Sequence, residues 1–481
     1  MSVRAAMTTV VWFRQDLRLA DNPALARAAA RGPILPIFIL DESRKPHGRP
    51  LGGAARWWLH HSLSALGRAL GGLILRRGDP GTILPELLEL TGAQGICWNR
   101  CYEPYAMRRD EELRSTLSEH GVEVETFDGS LLHDPGQLVT DAGHPFRVYT
   151  PFWRACQKQT VGAPAAVPDL TVARFPGRSD RLADWPLLPA QPDWAAGFAK
   201  HWTPGERGAH QRLRRFLAQG LHGYARLRDR PDCANVSRLS PHLHWGEISP
   251  RQIWAATWAH IGREPGARAD AEKFLAEIGW REFAYHLLYH FPDLPRSNWK
   301  PEFDAYPWQD SPRQLSAWQR GRTGYPFVDA GLRELWATGY MHNRVRMVAA
   351  SFLVKHLRID WRAGERWFWD TLLDADLANN VAGWQWVAGS GADASPFFRI
   401  FNPIEQGRKF DPDGHYVRRW CPELARLPTR YLHAPFDAPV SVLEAAGVVL
   451  GTTYPLPLVG HMAARRAALE AYAAVRGAAR K

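Results

Sequence analysis

VVWFRQDLRLADNPALARAAARGPILPIFIL, residues 10–40, opens and closes on apolar runs with an Ala/Leu/Arg-rich stretch of helical periodicity between them. VVWF (10–13) and ILPIFIL (34–40) are too uniformly apolar for strands with one wet face. Such runs belong to strands covered on both sides. The pattern returns at LILRR (73–77), ICWN (96–99) and VEVETF (122–127), with helical segments such as ARWWLHHSLSALGRAL between the runs. Strands alternating with helices predict an α/β domain with a parallel, Rossmann-like sheet over residues 1–130. No G-x-G-x-x-G or G-x-x-x-x-G-K-[ST] follows any of these strands, which argues against the usual dinucleotide and P-loop modes.

Beyond the sheet the periodicity fades. Pro135, Pro145, Pro151, Pro164, Pro168, Pro176, Pro186, Pro189 and Pro192 punctuate residues 131–203, so a long ordered linker is expected there. Residues 204–481 read as all-α. EIGWREFAYHLLYHF, VDAGLRELWATGYMHNRVRMVAASFLVKHL and GERWFWDTLLDADL all carry the spacing of helices with a buried face. In SRLSPHLHWGEISPRQI (237–253), Ser237 and Ser240 precede helical patterns and are expected to cap them.

The bulk numbers narrow the class. At 481 residues the chain is long for a single core. No apolar run reaches membrane-spanning length, and MSVRAAMTTVVWF lacks a signal-like stretch, so a cytoplasmic protein is expected. Five scattered cysteines frame neither a disulfide scaffold nor a metal site, and no metal is expected. A formal charge of +11 favours a polyanionic partner such as nucleic acid.

Two stretches carry chemistry. In MHNRVRM (341–347), Arg346 shares a face with Met347 and Ala350, and an Arg on a packed face needs a carboxylate. Asp374 and Asp376 are the candidates. LLDADLANNVAGWQWVAGSGADASPFFRIFNP (372–403) combines acids, amides, tryptophans and glycines in a pattern that makes a poor amphipathic helix. Its polar groups beside aromatics suit a pocket for a planar heteroaromatic ring.

WREF, TGYPFVDAGLREL, MHNR, DADLANN, GWQW and FRIFNP occur here in that order, with WFRQDLRLADNPAL (12–25) near the start. Together they resemble the DNA photolyase/cryptochrome family, specifically a bacterial, class I type photolyase acting on cyclobutane pyrimidine dimers. The resemblance implies an antenna-type domain over 1–130, an interdomain linker over 131–203, and a helical FAD- and DNA-binding catalytic domain over 204–481. It implies light-driven splitting of a flipped-out dimer by an electron from excited, reduced, anionic FAD. The alternatives are a cryptochrome-type blue-light receptor without repair and a (6-4) photolyase. Signalling cryptochromes often carry a long C-terminal extension, and the sequence stops soon after AARRAALEAYAAVRG. The (6-4) chemistry uses paired histidines where this chain has Asn343 and Met347; His342, on a helix, is expected to point elsewhere.

By motif match, the resemblance gives FAD to Tyr224, Val236, Ser237, Arg238, Leu239, Ser240, Phe274, Arg281, Arg346, Asp374, Asp376 and Asn380. Arg346 is expected to pair with Asp374, and Asn380 to face flavin N5, where an amide bonds without acting as a ready acid. Trp384, Trp361 and Trp308 match an electron relay. Glu277, Trp280, Arg281, Asn343, Arg344, Met347, Trp386 and Gln406 match the DNA- and dimer-binding set. Many members of the family hold a second, antenna chromophore, and the resemblance equally allows a deazaflavin, an FMN or none here. Folate is disfavoured, because YEPYAMRRD has Tyr105 and Ala106 where folate users carry an Asn-Glu pair; RPLGGAARWWLHHSL is expected to line the antenna pocket. Ultraviolet-damaged DNA is the partner and a monomer the expected state.

Overall fold

The structure, a computed structural model, describes residues 7–42, 49–393 and 398–478. The five expected strands are all present: β1 (Thr9–Phe13), β2 (Ile34–Leu40), β3 (Ile74–Arg77), β4 (Gly95–Asn99) and β5 (Glu123–Phe127). They form one parallel sheet in the order β3-β2-β1-β4-β5. Every residue of β1, β2 and β4 is buried, whereas the edge strand β5 is partly exposed. Uniform apolarity in the three inner runs therefore follows from cover on both faces. Helices α1 (Pro23–Ala29), α2 (Gly53–Leu70), α3 (Pro80–Thr91) and α4 (Pro104–Glu119) make the crossovers.

The WFRQDLRLADNP motif ties this domain together. Asp16 accepts from the Arg14 backbone N–H (2.7 Å) and from Asn99 Nδ2 (2.6 Å), while Asn22 caps α1 at the Leu25 N–H. Arg18, fully buried, donates to the carbonyls of Asp21 and Gly129. A charge so placed is tolerable because each of its three nitrogens finds an acceptor.

The chain continues through α5 (Tyr149–Lys158), α6 (Glu206–Gln219), α7 (Tyr224–Leu227), α8 (Ser240–His244), α9 (Pro250–Ile261) and α10 (Arg268–His290). It then runs through α11 (Pro312–Gln319), α12 (Pro326–Thr338), α13 (Asn343–Ser351), α14 (Trp361–Thr371), α15 (Leu377–Ala388) and α16 (Pro403–Phe410). It divides into two compact units: residues 1–222 with 237–292, and residues 223–236 with 293–481. Among the described residues, no helix is long and apolar enough to cross a membrane.

Five local expectations are corrected. The stretch read as linker contains α5, whose Phe152 is buried against Phe283 and His286 of α10. Its Pro151 lies in the first turn, where a missing N–H costs nothing. Ser237 and Ser240 do not cap: α8 has no side-chain cap, and the capping box belongs to Ser249 with Gln252 of α9. The continuous pattern over 328–357 is two helices, broken at Gly339 (φ +68°). His342 is not inside a helix but caps α13, its Nδ1 accepting from the Arg344 N–H at 3.2 Å. Finally, the polar 376–388 stretch is helical after all. Asp376 caps α15 at Asn379, and Trp384 is buried where α15 packs on α14. Gly364 makes that packing possible, since a Cβ there would overlap the Trp384 ring.

Candidate functional site

In the first unit, α10 carries Phe274, Glu277, Trp280 and Arg281 at spacings that share a helix stripe. Phe274 is buried with its ring 4.6 Å from Phe216. Trp280, half-buried, stacks face to face on Tyr149 of α5, the ring centroids 3.7 Å apart and the planes 5° from parallel. Arg281 is heavily engaged: it donates to the Ser130 carbonyl at 2.8 Å, lies beside Glu282 and covers the Tyr285 ring. Burial pushes the Glu282 carboxyl up to about 7, against the opposing pull of Arg281 and the N–H groups of Leu132 and His133. Leu239 is buried, and Arg238 adopts a left-handed conformation (φ +52°) that turns the chain sharply before Ser240 opens α8.

The second unit holds the denser set. Tyr224 opens α7 with the Arg228 guanidinium 5.6 Å from its ring centre, and Val236 is half-buried. Arg346 donates to Asp374 at 2.8 Å and to the Met341 carbonyl at 2.7 Å. Burial opposes its charge, but Asp374 more than restores it and the net shift is upward. The pair inferred from the buried-charge argument is therefore present. Arg344 pairs with Asp229 at 2.8 Å and lies over Phe410, so a phosphate would share it with that carboxylate. Asn343 and Met347 meet on the next stripe of α13, Nδ2 to Sδ at 4.0 Å.

On α15, Asn380 donates through Nδ2 to the Glu365 carboxylate (2.8 Å) and to the Glu365 carbonyl (3.1 Å). Both partners are pure acceptors, so the amide orientation is fixed by chemistry and Oδ1 faces away from Glu365. One turn on, Gly383 is exposed, and a Cβ on it would meet no atom of the described residues within 4 Å. A glycine inside a helix costs roughly 0.5–1 kcal/mol relative to alanine. The chain's own packing gives no reason for that cost.

Residues 9–169 match the family model described as DNA photolyase, and residues 274–474 match the FAD binding domain of DNA photolyase. The deoxyribodipyrimidine photo-lyase of Agrobacterium fabrum is 54% identical, with 99% of each chain covered. The chain belongs to the DNA photolyase/cryptochrome family. Within that family it is also 39% identical to Cryptochrome-1 of Arabidopsis thaliana, over 94% of this chain and 68% of that one. A solved structure of a bacterial class III photolyase from Agrobacterium tumefaciens superposes with a TM-score of 0.95 at 53% identity, covering 99% of each chain.

The three tryptophans matched by motif lie in the second unit: Trp308 in the loop before α11, Trp361 at the start of α14 and Trp384 in α15. Trp384 and Trp361 are buried, and Trp308 is half-exposed beside Tyr306, with centroids 4.4 Å apart. Trp361 donates its N–H to Asn298 at 3.0 Å, whereas the buried Trp384 N–H has no acceptor among the described residues. Trp386 on α15 and Gln406 on α16 are half-buried. Two residues of this photolyase/cryptochrome chain escaped sequence reading. Glu365 is fifteen positions from Asn380, too far for any local pattern, and Tyr149 sits in a segment read as linker.

Proposed function

We propose that this chain repairs cyclobutane pyrimidine dimers in DNA under blue light, with FAD as its redox cofactor. The observation that carries the reading is the exposed face of α15, where a fixed amide acceptor, Asn380 Oδ1, stands one turn from the bare backbone of Gly383. An acceptor beside open space in a glycine-relieved helix suits the edge of a planar ring bearing an N–H. Arg346, Asp374 and Asp376 supply the donors and acceptors that the remaining polar edge of an isoalloxazine needs, so the residues fit FAD. The motif match adds Tyr224, Val236, Ser237, Arg238, Leu239, Ser240 and Phe274 to the cofactor set.

Bound reduced FAD supplies, on excitation, the electron that opens the dimer and takes it back when the bases separate. The chain's own residues position and select. Asn380, held by Glu365, offers an acceptor and no ready proton, which favours a reduced, anionic flavin. Trp384, Trp361 and Trp308 run from buried to half-exposed, the order needed to bring an electron inward. By motif match, Trp280 and Trp386 each offer an aromatic ring on which an extruded base can stack, worth about 1–3 kcal/mol per base. Flipping costs a few kcal/mol, and least for a damaged base, so rings of this kind favour the lesion. Glu277, Asn343, Met347 and Gln406 complete the dimer set, and Arg344 a phosphate contact. Arg281, tied to Ser130, contributes through α10 geometry more than by direct contact.

The likeness to a class III photolyase supports that class over the class I type expected from the motifs. A second chromophore in the first unit, its pocket lined by RPLGGAARWWLHHSL, belongs to the same proposal; within that stretch Trp57 and Trp58 are buried against Phe198 and Trp202.

The test uses photoreduced protein with ultraviolet-irradiated oligothymidine under blue light, beside a dark control. Thymine absorbance should return only in the light. Equal recovery in both arms would remove the repair reading, and the absorption spectrum of the purified protein reports FAD and any antenna.

A further inference from the structure

We propose that Tyr149 is a positioning residue for lesion recognition, acting through Trp280 by fixing the plane of its indole. The inference rests on the repair reading and on Trp280 as a stacking wall; the role of Tyr149 is the addition. Tyr149 opens α5 and is tied to α10 in two ways. Its phenol donates to the Ala276 carbonyl at 2.6 Å, one turn before Trp280, and its ring covers one indole face at 3.7 Å and 5°.

The rest of α5 is fastened to the same helix. Phe152 packs on Phe283 and His286, and Trp153 lies over Gly279, where a Cβ would overlap its ring. Phe283 meets the edges of both Tyr149 and Trp280, with centroids 6.0 and 6.1 Å apart. The indole is therefore held on one face and one edge while it stays half-buried. Two consequences follow. Trp280 has one face for a base rather than two, so a single base of the lesion stacks there. That face is also oriented before DNA arrives, and the rotamer freedom otherwise lost on binding has already been removed.

Freezing one such side chain corresponds to about a three- to tenfold change in affinity. The experiment compares the FAD-loaded parent with Tyr149→Phe, Tyr149→Leu, Trp280→Ala and the Tyr149→Leu/Trp280→Ala double variant. For each, the Kd for a dimer-bearing and for an undamaged oligothymidine is measured by fluorescence anisotropy. Repair kcat and KM, flavin content and the circular dichroism spectrum are recorded alongside. Y149L should raise Kd and KM for the dimer about three- to tenfold, leaving kcat, flavin content and undamaged binding as in the parent. Y149F keeps the stacked face and should stay within about twofold of the parent. In the W280A background, Y149L should cost nothing more, because there is no indole left to orient.

Equal weakening of damaged and undamaged binding, a full additional loss in the double variant, or a Y149F as impaired as Y149L would each overturn the proposal. A W280A protein that binds the dimer like the parent would instead remove the assignment of Trp280 itself, and the positioning role with it.

Discussion

Asn380 shows how one neighbour turns a symmetric amide into a directional group. The Glu365 carboxylate and carbonyl both demand donors, so the carbonyl end of Asn380 is presented on the open face of α15. Glu365→Gln still offers an amide oxygen at that place, whereas Glu365→Leu leaves Asn380 held by the backbone carbonyl alone and so less firmly oriented. Air reoxidation of the photoreduced flavin, followed by absorbance, should be faster in E365L and close to the parent in E365Q. Equal rates in all three proteins would detach Glu365 from flavin control. Glu282 presents a second case, governed by burial. Its folded pKa of about 7 stands above the ordinary 4.5 through desolvation. A raised carboxylate pKa means that the folded state binds the extra proton, so the contribution is intact below about pH 4.5 and is lost as pH rises through about 7. Glu282→Gln mimics the protonated form at every pH. Thermal melts should therefore show E282Q gaining on the parent between pH 4.5 and 7.5, and a constant difference across that range would contradict the burial argument.

At the level of elements, Gly383 separates what a helix wants from what a ligand wants. Gly383→Ala should raise the stability of the flavin-free protein by up to about 1 kcal/mol through propensity alone. The same methyl enters the open space beside Asn380, so the flavin-to-protein ratio after purification should fall. An alanine variant that is more stable and equally loaded with FAD would show that this face of α15 meets no cofactor. The elements differ in how plainly the sequence declared them. β1, β2 and β4 were legible because cover on both faces forces uniform apolarity, and their runs are of strand length and alternate with longer helical patterns. The Arg346–Asp374 pair was legible because a guanidinium on a packed, largely covered helix face has few solutions. The break between α12 and α13 was not, since the apolar periodicity runs through Gly339 and only the cap at His342 marks the restart. Helix α5 was hidden by the prolines around it. The amphipathic test also failed for α15, whose helix is held by the Asp376 cap and by Trp384 buried against α14, with polar groups left on its open face.

For the molecule as a whole, two forces should act on DNA and they should separate under salt. The net charge of +11 provides a sequence-independent attraction whose strength falls with the logarithm of salt concentration as counterions are released. Discrimination between damaged and intact DNA has a different origin in this reading. It comes from the lower cost of extruding a dimer and from stacking on Trp280 and Trp386, neither of which releases counterions. Raising salt from about 50 to about 200 mM should therefore weaken binding to irradiated and unirradiated oligonucleotides by the same factor, leaving their ratio unchanged. Trp280→Ala should do the reverse, reducing the ratio while the salt slopes of the two DNAs stay parallel. Anisotropy titrations across the salt series measure both quantities together. A ratio that shrinks steadily with salt would mean that cations, and not aromatic walls, recognise the lesion. Arg344 would then be the first residue to reconsider, because its pairing with Asp229 makes its availability to phosphate depend on competition between two anions.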